Sequence, residues 1–211
     1  MASSVHGSSK DLHVRVVSRR LVVASDASIE PHVLTVSNLD LLPQTIQVAM
    51  LCIYPNRPAA DFAAVVAAFE AGLPSLLNHF FPLAGRIATS PSSGLPEVRC
   101  CNQGAELVVG EAGVALAALD YADMVASLGR IQLPYGADVA LSVQVVSFAC
   151  GGFTVAWRTN HVLVDGSALS FLLVSSWSQQ VARSAMLLRQ PGRPRRSTTC
   201  RCSVLPRSPP S

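Results

Sequence analysis

From Val139 to Ala156 the chain carries no charged residue, and the run is as long as a short membrane span, which takes about 17 residues or more. Its period excludes that reading. Val139, Leu141, Val143 and Val145 alternate with Ala140, Ser142 and Gln144, the two-residue rhythm of a strand. Gly151-Gly152 then supplies a tight turn, and Phe153, Val155 and Trp157 resume the alternation. The run predicts a β-hairpin and no membrane partner.

The remainder reads as mixed strands and helices. Leu12 to Val23 is valine-rich and interrupted by Arg15, Arg19 and Arg20, as a partly exposed strand would be. Val33 to Leu42 leads to a connection marked by Pro43, and Gln44 to Tyr54 reads as a buried strand. Asp61 can cap a helix over Pro58 to Leu77, where Phe62, Val65, Val66 and Phe69 recur at helical spacing. Gly72 and Pro74 predict one helix with a break or two short ones. Phe80 to Arg86, Pro96 to Asn102 and Ala105 to Glu111 read as strands and links, and Val114 to Leu128 as an alanine-rich helix. Gly166 to Leu188 reads as a helix that buries Leu169 and Trp177, with Ser167 near its start.

Near Arg189 the composition changes. Residues 189–211 hold six arginines and no acid, so removing those six charges from the chain's formal +3 leaves −3 on residues 1–188. A mildly acidic body lacks the basic face that a phosphate backbone requires, which excludes a nucleic-acid partner. The end segment is proline-rich, has no aromatic side chain and cannot build a core. The expected organisation is a flexible N-terminus at 1–11, one domain over 12–188 and a disordered tail at 189–211. Six cysteines, at 52, 100, 101, 150, 200 and 202, show no paired C-x-x-C spacing. Neither a zinc ribbon nor a disulfide framework is indicated, and free thiols in a reducing compartment fit the pattern. Met1 to Lys10 is polar, without the apolar core of a secretory signal, so a cytoplasmic location is expected.

The stretch Arg158-Thr159-Asn160-His161-Val162-Leu163-Val164-Asp165-Gly166 stands where the hairpin's second strand ends and the last helix begins. A strand end fixes a histidine's backbone while the imidazole projects into a cleft, where it can accept a proton at neutral pH. His161 is the candidate general base. The alternative is structural, with His161 hydrogen-bonding at a sheet end and Asp165 capping the next helix. No third His, Cys or carboxylate stands at a ligand spacing, so no metal is expected. G-x-S-x-G, G-x-G-x-x-G and P-loop patterns do not occur.

Ser37-Asn38-Leu39-Asp40, then Phe80-Phe81-Pro82-Leu83-Ala84-Gly85-Arg86, then Cys101-Asn102-Gln103-Gly104-Ala105-Glu106 precede the hairpin and Asn160-His161 through Asp165-Gly166. In this order and at these separations, over about residues 10–188, the chain resembles the BAHD acyl-CoA-dependent acyltransferases of plants. The resemblance implies an α/β, chloramphenicol-acetyltransferase-like fold in which this stretch is the first of two similar domains. It implies that His161 takes the proton from an acceptor alcohol or amine, which then attacks the thioester of an acyl-CoA. Acyl-CoA is thus a co-substrate, no cofactor is bound, and no acyl-enzyme forms.

The same resemblance makes Asp165 structural and paired with an arginine, has Gly166 permit a tight exit into the helix, and has Arg86 with residues 82–85 hold the domain together. Members carry a second domain with a D-F-G-W-G motif, which this sequence lacks. Donor and acceptor enter a channel between the two domains. Two expectations follow: an acyltransferase that works with a second half, or an inactive half-domain that self-associates through the uncovered apolar face.

Overall fold

The computed structural model describes residues 14–42, 46–55, 61–174 and 199–204. Its strands are β1 (Val14–Val22), β2 (His32–Thr35), β3 (Gln47–Tyr54), β4 (Arg86–Thr89), β5 (Pro96–Cys100), β6 (Ala105–Ala112), β7 (Leu141–Phe148), β8 (Phe153–Asn160) and β9 (Thr199–Val204). Six of them form one sheet in the order β1-β6-β7-β8-β3-β9, and β2-β5-β4 form a small second sheet. Among the described residues only β6 and β7 run parallel, and the other strand pairs are antiparallel. A parallel neighbour requires a crossover. Residues 113–140 provide it, through a 3-10 turn at Leu116–Ala118 and the helix α2 (Met124–Ile131).

The hairpin forms where its alternation predicts. Gly151 N–H donates to the Phe148 carbonyl at 2.8 Å and Phe148 N–H to the Gly152 carbonyl at 2.9 Å. Each glycine has its own reason. Gly151 has φ +81°, a conformation costly for other residues. At Gly152 a Cβ would stand 2.5 Å from Leu116 Cδ1 and 2.9 Å from the Tyr54 carbonyl oxygen.

Strand alternation divides the buried side chains between two faces. Met50, Cys52, Leu141, Val143, Val145, Val155 and Trp157 join the core under α1 (Phe62–His79), whereas Leu51, Val108, Val146, Phe148 and Ala156 join the core under the crossover. The first core is the larger, and α1 supplies Val65, Phe69, Leu73, Leu76 and Leu77 to it. Asp61 caps this helix by accepting from Ala64 N–H at 2.9 Å. Contrary to the expected break, α1 continues through Pro74. The apolar stripe on both sides of Pro74 is anchored in the sheet, with Phe69 and Trp157 ring centroids 6.1 Å apart, and that packing offsets the lost backbone hydrogen bond.

Two further expectations need correction. The alanine-rich stretch 114–128 is not one helix: only 116–118 and 124–131 are helical, separated by a turn in which Asp120 Oδ1 accepts from Ala122 N–H at 2.8 Å. Short polar side chains that bond their own backbone compete with the helix there. Within the tail expected to be disordered, Thr199–Val204 is a strand. Cys200, Cys202 and Val204 alternate with Thr199, Arg201 and Ser203, a strand pattern hidden among prolines and arginines. The helix α3 runs Gly166–Val174 and buries Leu169. Residues 175–188, with Trp177, lie outside the described residues, as do 1–13, 189–198 and 205–211. No helix among the described residues is long and apolar enough to cross a membrane.

Candidate active site

The end of β8 positions His161. Asn160 builds the turn that follows: its Oδ1 accepts from Val162 N–H at 2.9 Å and its carbonyl from Leu163 N–H at 3.0 Å. On the other side, His161 N–H donates to the Ile46 carbonyl at 2.9 Å, which ties it to the start of β3. The backbone is thus held from two directions. The residue itself is half-buried, neither sealed in a core nor free in solvent.

Asp165 is exposed and caps α3, accepting from Ala168 N–H on Oδ1 at 2.6 Å while its carbonyl accepts from Leu169 N–H at 2.9 Å. Among the described residues no arginine lies within ion-pair distance of it. His and Asp therefore have separate places, one half-buried at a strand end and one capping the start of α3. The reason expected for Gly166 does not hold. Its φ is not positive, and a Cβ there would meet nothing within 4 Å.

Asp40, in the Ser37-Asn38-Leu39-Asp40 motif, is held by its own turn. Ser37 Oγ–H and N–H both donate to Asp40 Oδ2, at 2.7 and 2.9 Å, and hold its carboxyl below the ordinary aspartate range. Burial slightly opposes the shift, and the two bonds close a local turn between Ser37 and Asp40.

Behind the histidine, two polar side chains staple the crossover to the sheet. Gln144 is buried, donates to the Leu133 carbonyl at 2.6 Å and accepts from Leu133 N–H at 2.9 Å. Arg158 donates to the same carbonyl at 2.8 Å and lies 4.8 Å from the Tyr135 ring centroid. Burial pushes its guanidinium below the ordinary value, and Tyr135 partly opposes the shift. Sequence reasoning gave neither residue a role. The available signal was their position: a long amide and a guanidinium on the strands of a largely apolar hairpin must find partners when buried.

Arg86 does hold the domain together. Its Nη1 donates to the carbonyls of Gly85 and Gly104 at 2.8 and 2.7 Å, and Nε lies 3.6 Å from Asp138 Oδ2. Beside it, a Cβ on Gly85 would stand 2.6 Å from the Arg99 carbonyl oxygen, so only glycine lets this chain lie against β5. Among the described residues no group of three or more His, Cys, Asp or Glu is placed to hold a metal ion.

Residues 12–207 match the Transferase family. Putrescine hydroxycinnamoyltransferase 1 of Oryza sativa subsp. japonica is 34% identical over 78% of this chain. The chain belongs to the BAHD acyltransferases. It spans 38% of the length of that relative. The BAHD-like fold extends to solved structures: vinorine synthase superposes with a TM-score of 0.66 at 24% identity, covering 80% of this chain and 43% of its own. F. graminearum TRI101, solved with ethyl coenzyme A, superposes with a TM-score of 0.54 at 14% identity, over 75% of this chain and 40% of that one. These neighbours have the chloramphenicol-acetyltransferase-like BAHD fold, and the chain covers part of it.

Proposed function

We propose that the chain is the His-bearing half of an acyltransferase that moves an acyl group from acyl-CoA to an alcohol or amine of a plant metabolite, with His161 as general base. The observation that carries this reading is the half-buried His161, its backbone fixed by Ile46 and the Asn160 turn while its residue remains partly open. A thioester is already activated. What the protein must add is an oriented base for the acceptor proton and donors for the oxyanion, and base catalysis supplies about 10²–10⁴-fold. The acceptor O–H or N–H loses its proton to the imidazole as oxygen or nitrogen bonds the acyl carbon. Collapse of the tetrahedral species then expels the coenzyme A thiolate, which takes that proton from the imidazolium. Membership of the family supports acyl-CoA as donor, and names such as putrescine hydroxycinnamoyltransferase support an aromatic acyl group and an amine acceptor.

A second half completes the site by excluding water and positioning both substrates. The test is co-expression of this chain with the C-terminal half of a relative, followed by mass spectrometry of acylated amines and alcohols supplied with hydroxycinnamoyl-CoA. Transfer is expected, with a loss of about 10²–10⁴-fold in His161→Ala. Unchanged turnover in that variant removes the base assignment, and thioester loss without an acylated acceptor replaces transfer with hydrolysis.

A second reading is an inactive half-domain that pairs through surface normally covered. It is favoured by Leu39, Leu42 and Phe171, which are 77%, 83% and 63% exposed. Self-association in sedimentation experiments is its expected sign. A soluble monomer with no affinity for a C-terminal half counts against it.

A further inference from the structure

Asp165-Gly166 is the one Asp-Gly step in the sequence, and no Asn-Gly step occurs. An aspartyl carboxyl carbon can be attacked by the amide nitrogen of the next residue, and a glycine, having no side chain, hinders that approach least. The fold leaves this pair open. Asp165, Gly166, Ser167 and Ala168 are all exposed, and a Cβ on Gly166 would meet nothing within 4 Å. As the first residue of α3, Gly166 has an amide with no acceptor inside the helix. One restraint opposes the attack. Asp165 Oδ1 accepts from Ala168 N–H at 2.6 Å, which keeps the carboxyl engaged over the first turn of α3.

We propose that Asp165-Gly166 is a site of spontaneous isoaspartate formation, released when the cap on α3 opens locally. The Gly166 amide nitrogen gives up its proton and bonds Asp165 Cγ, a carboxyl oxygen leaves as water, and a succinimide ring closes. Water then opens the ring. Attack at Cγ restores aspartate, whereas attack at the α-carbonyl leaves the main chain running through Cγ. One water departs and one returns, so isoaspartate keeps the mass of aspartate and no electron is exchanged. The oxygen that accepted from Leu169 N–H then belongs to a free carboxylate, the capping carboxyl becomes the peptide link, and the backbone is longer by one methylene. This change falls between the Asn160 turn and the buried Leu169, so it loosens the segment that joins β8 to α3.

The test uses the whole 211-residue chain, held warm at neutral pH and sampled over weeks. Trypsin releases the peptide from Thr159 to Arg183. Electron-transfer fragmentation, which cleaves isoaspartate at the Cα–Cβ bond that has entered the main chain, reads the fraction converted at Asp165. Isoaspartate is expected to accumulate there in the folded chain, roughly 2–30-fold more slowly than in the same chain unfolded in guanidinium chloride, the ratio that a helix cap of ordinary strength imposes. Gly166→Ala adds a methyl that meets nothing, so it should keep the fold and lose most of the conversion. Isoaspartate confined to the unfolded chain, equal rates in the folded and unfolded chains, or undiminished conversion in Gly166→Ala overturns the proposal.

Discussion

The amide of His161 and the carbonyl of Ile46 lie 2.9 Å apart, so the histidine at the end of one hairpin strand is fixed by the residue that precedes β3. The site is therefore a property of the sheet, assembled from segments more than a hundred residues apart. Its local order depends equally on the residues that end β8 and start α3.

Asp165 acts through the helix it caps. Asp165→Ala should lower stability by about 1 kcal/mol, while Asp165→Asn should lose much less, because asparagine still offers an oxygen to Ala168 N–H. Thermal melts of the two variants make the comparison. Equal losses would point to the charge, not the cap.

Gly85 and Gly166 should respond oppositely to alanine. At Gly85 the new methyl meets the Arg99 carbonyl oxygen at 2.6 Å, and Gly85→Ala is expected to cost about 2–3 kcal/mol. At Gly166 it meets nothing, and Gly166→Ala should be neutral or up to about 1 kcal/mol stabilising. Urea denaturation separates them; a large loss at Gly166 would restore a special role for that glycine.

Replacement of Gln144 leaves the Leu133 N–H without its partner, whereas the Leu133 carbonyl keeps Arg158. Gln144→Leu should therefore cost about 1–3 kcal/mol. Arg158→Met should cost less, since Gln144 continues to satisfy both groups of Leu133. A reversed order in chemical denaturation would show that the guanidinium, not the amide, secures the crossover.

Asp40 ties stability to acidity. Its folded carboxyl is held below the ordinary aspartate value, first by Ser37 Oγ–H and then by Ser37 N–H. The contribution is present above the unfolded value and fades as pH falls through the lower, folded one. Ser37→Ala should move the Asp40 titration upward in carboxyl-detected NMR. An unmoved titration would mean that the hydroxyl is not the cause.

Alternation in the sequence located β7 and β8, because each strand's two faces meet two different cores, whereas β1 showed in its valines and arginines and β3 as an apolar run. Turn chemistry marked Gly151-Gly152 and the cap at Asp61. What composition hid were effects of tertiary partners. Pro74 reads as a breaker until the anchored stripe around it is known, and the strand at Thr199–Val204 is visible only once β3 supplies an open edge. Likewise His161 and Asp165 were legible as a pair, but the bonds that separate their tasks run to Ile46 and Ala168.

The parallel neighbours β6 and β7, separated in sequence by residues 113–140, also impose an order on how the chain comes together. The β7 and β8 ribbon closes across a four-residue connection and can nucleate early, whereas docking β6 beside it must wait for a loop of some thirty residues to be gathered in. A nascent chain halted before Leu141 can pair β6 with β1 but not with its inner neighbour, and carries one open edge of β6 vulnerable to aggregation until synthesis resumes.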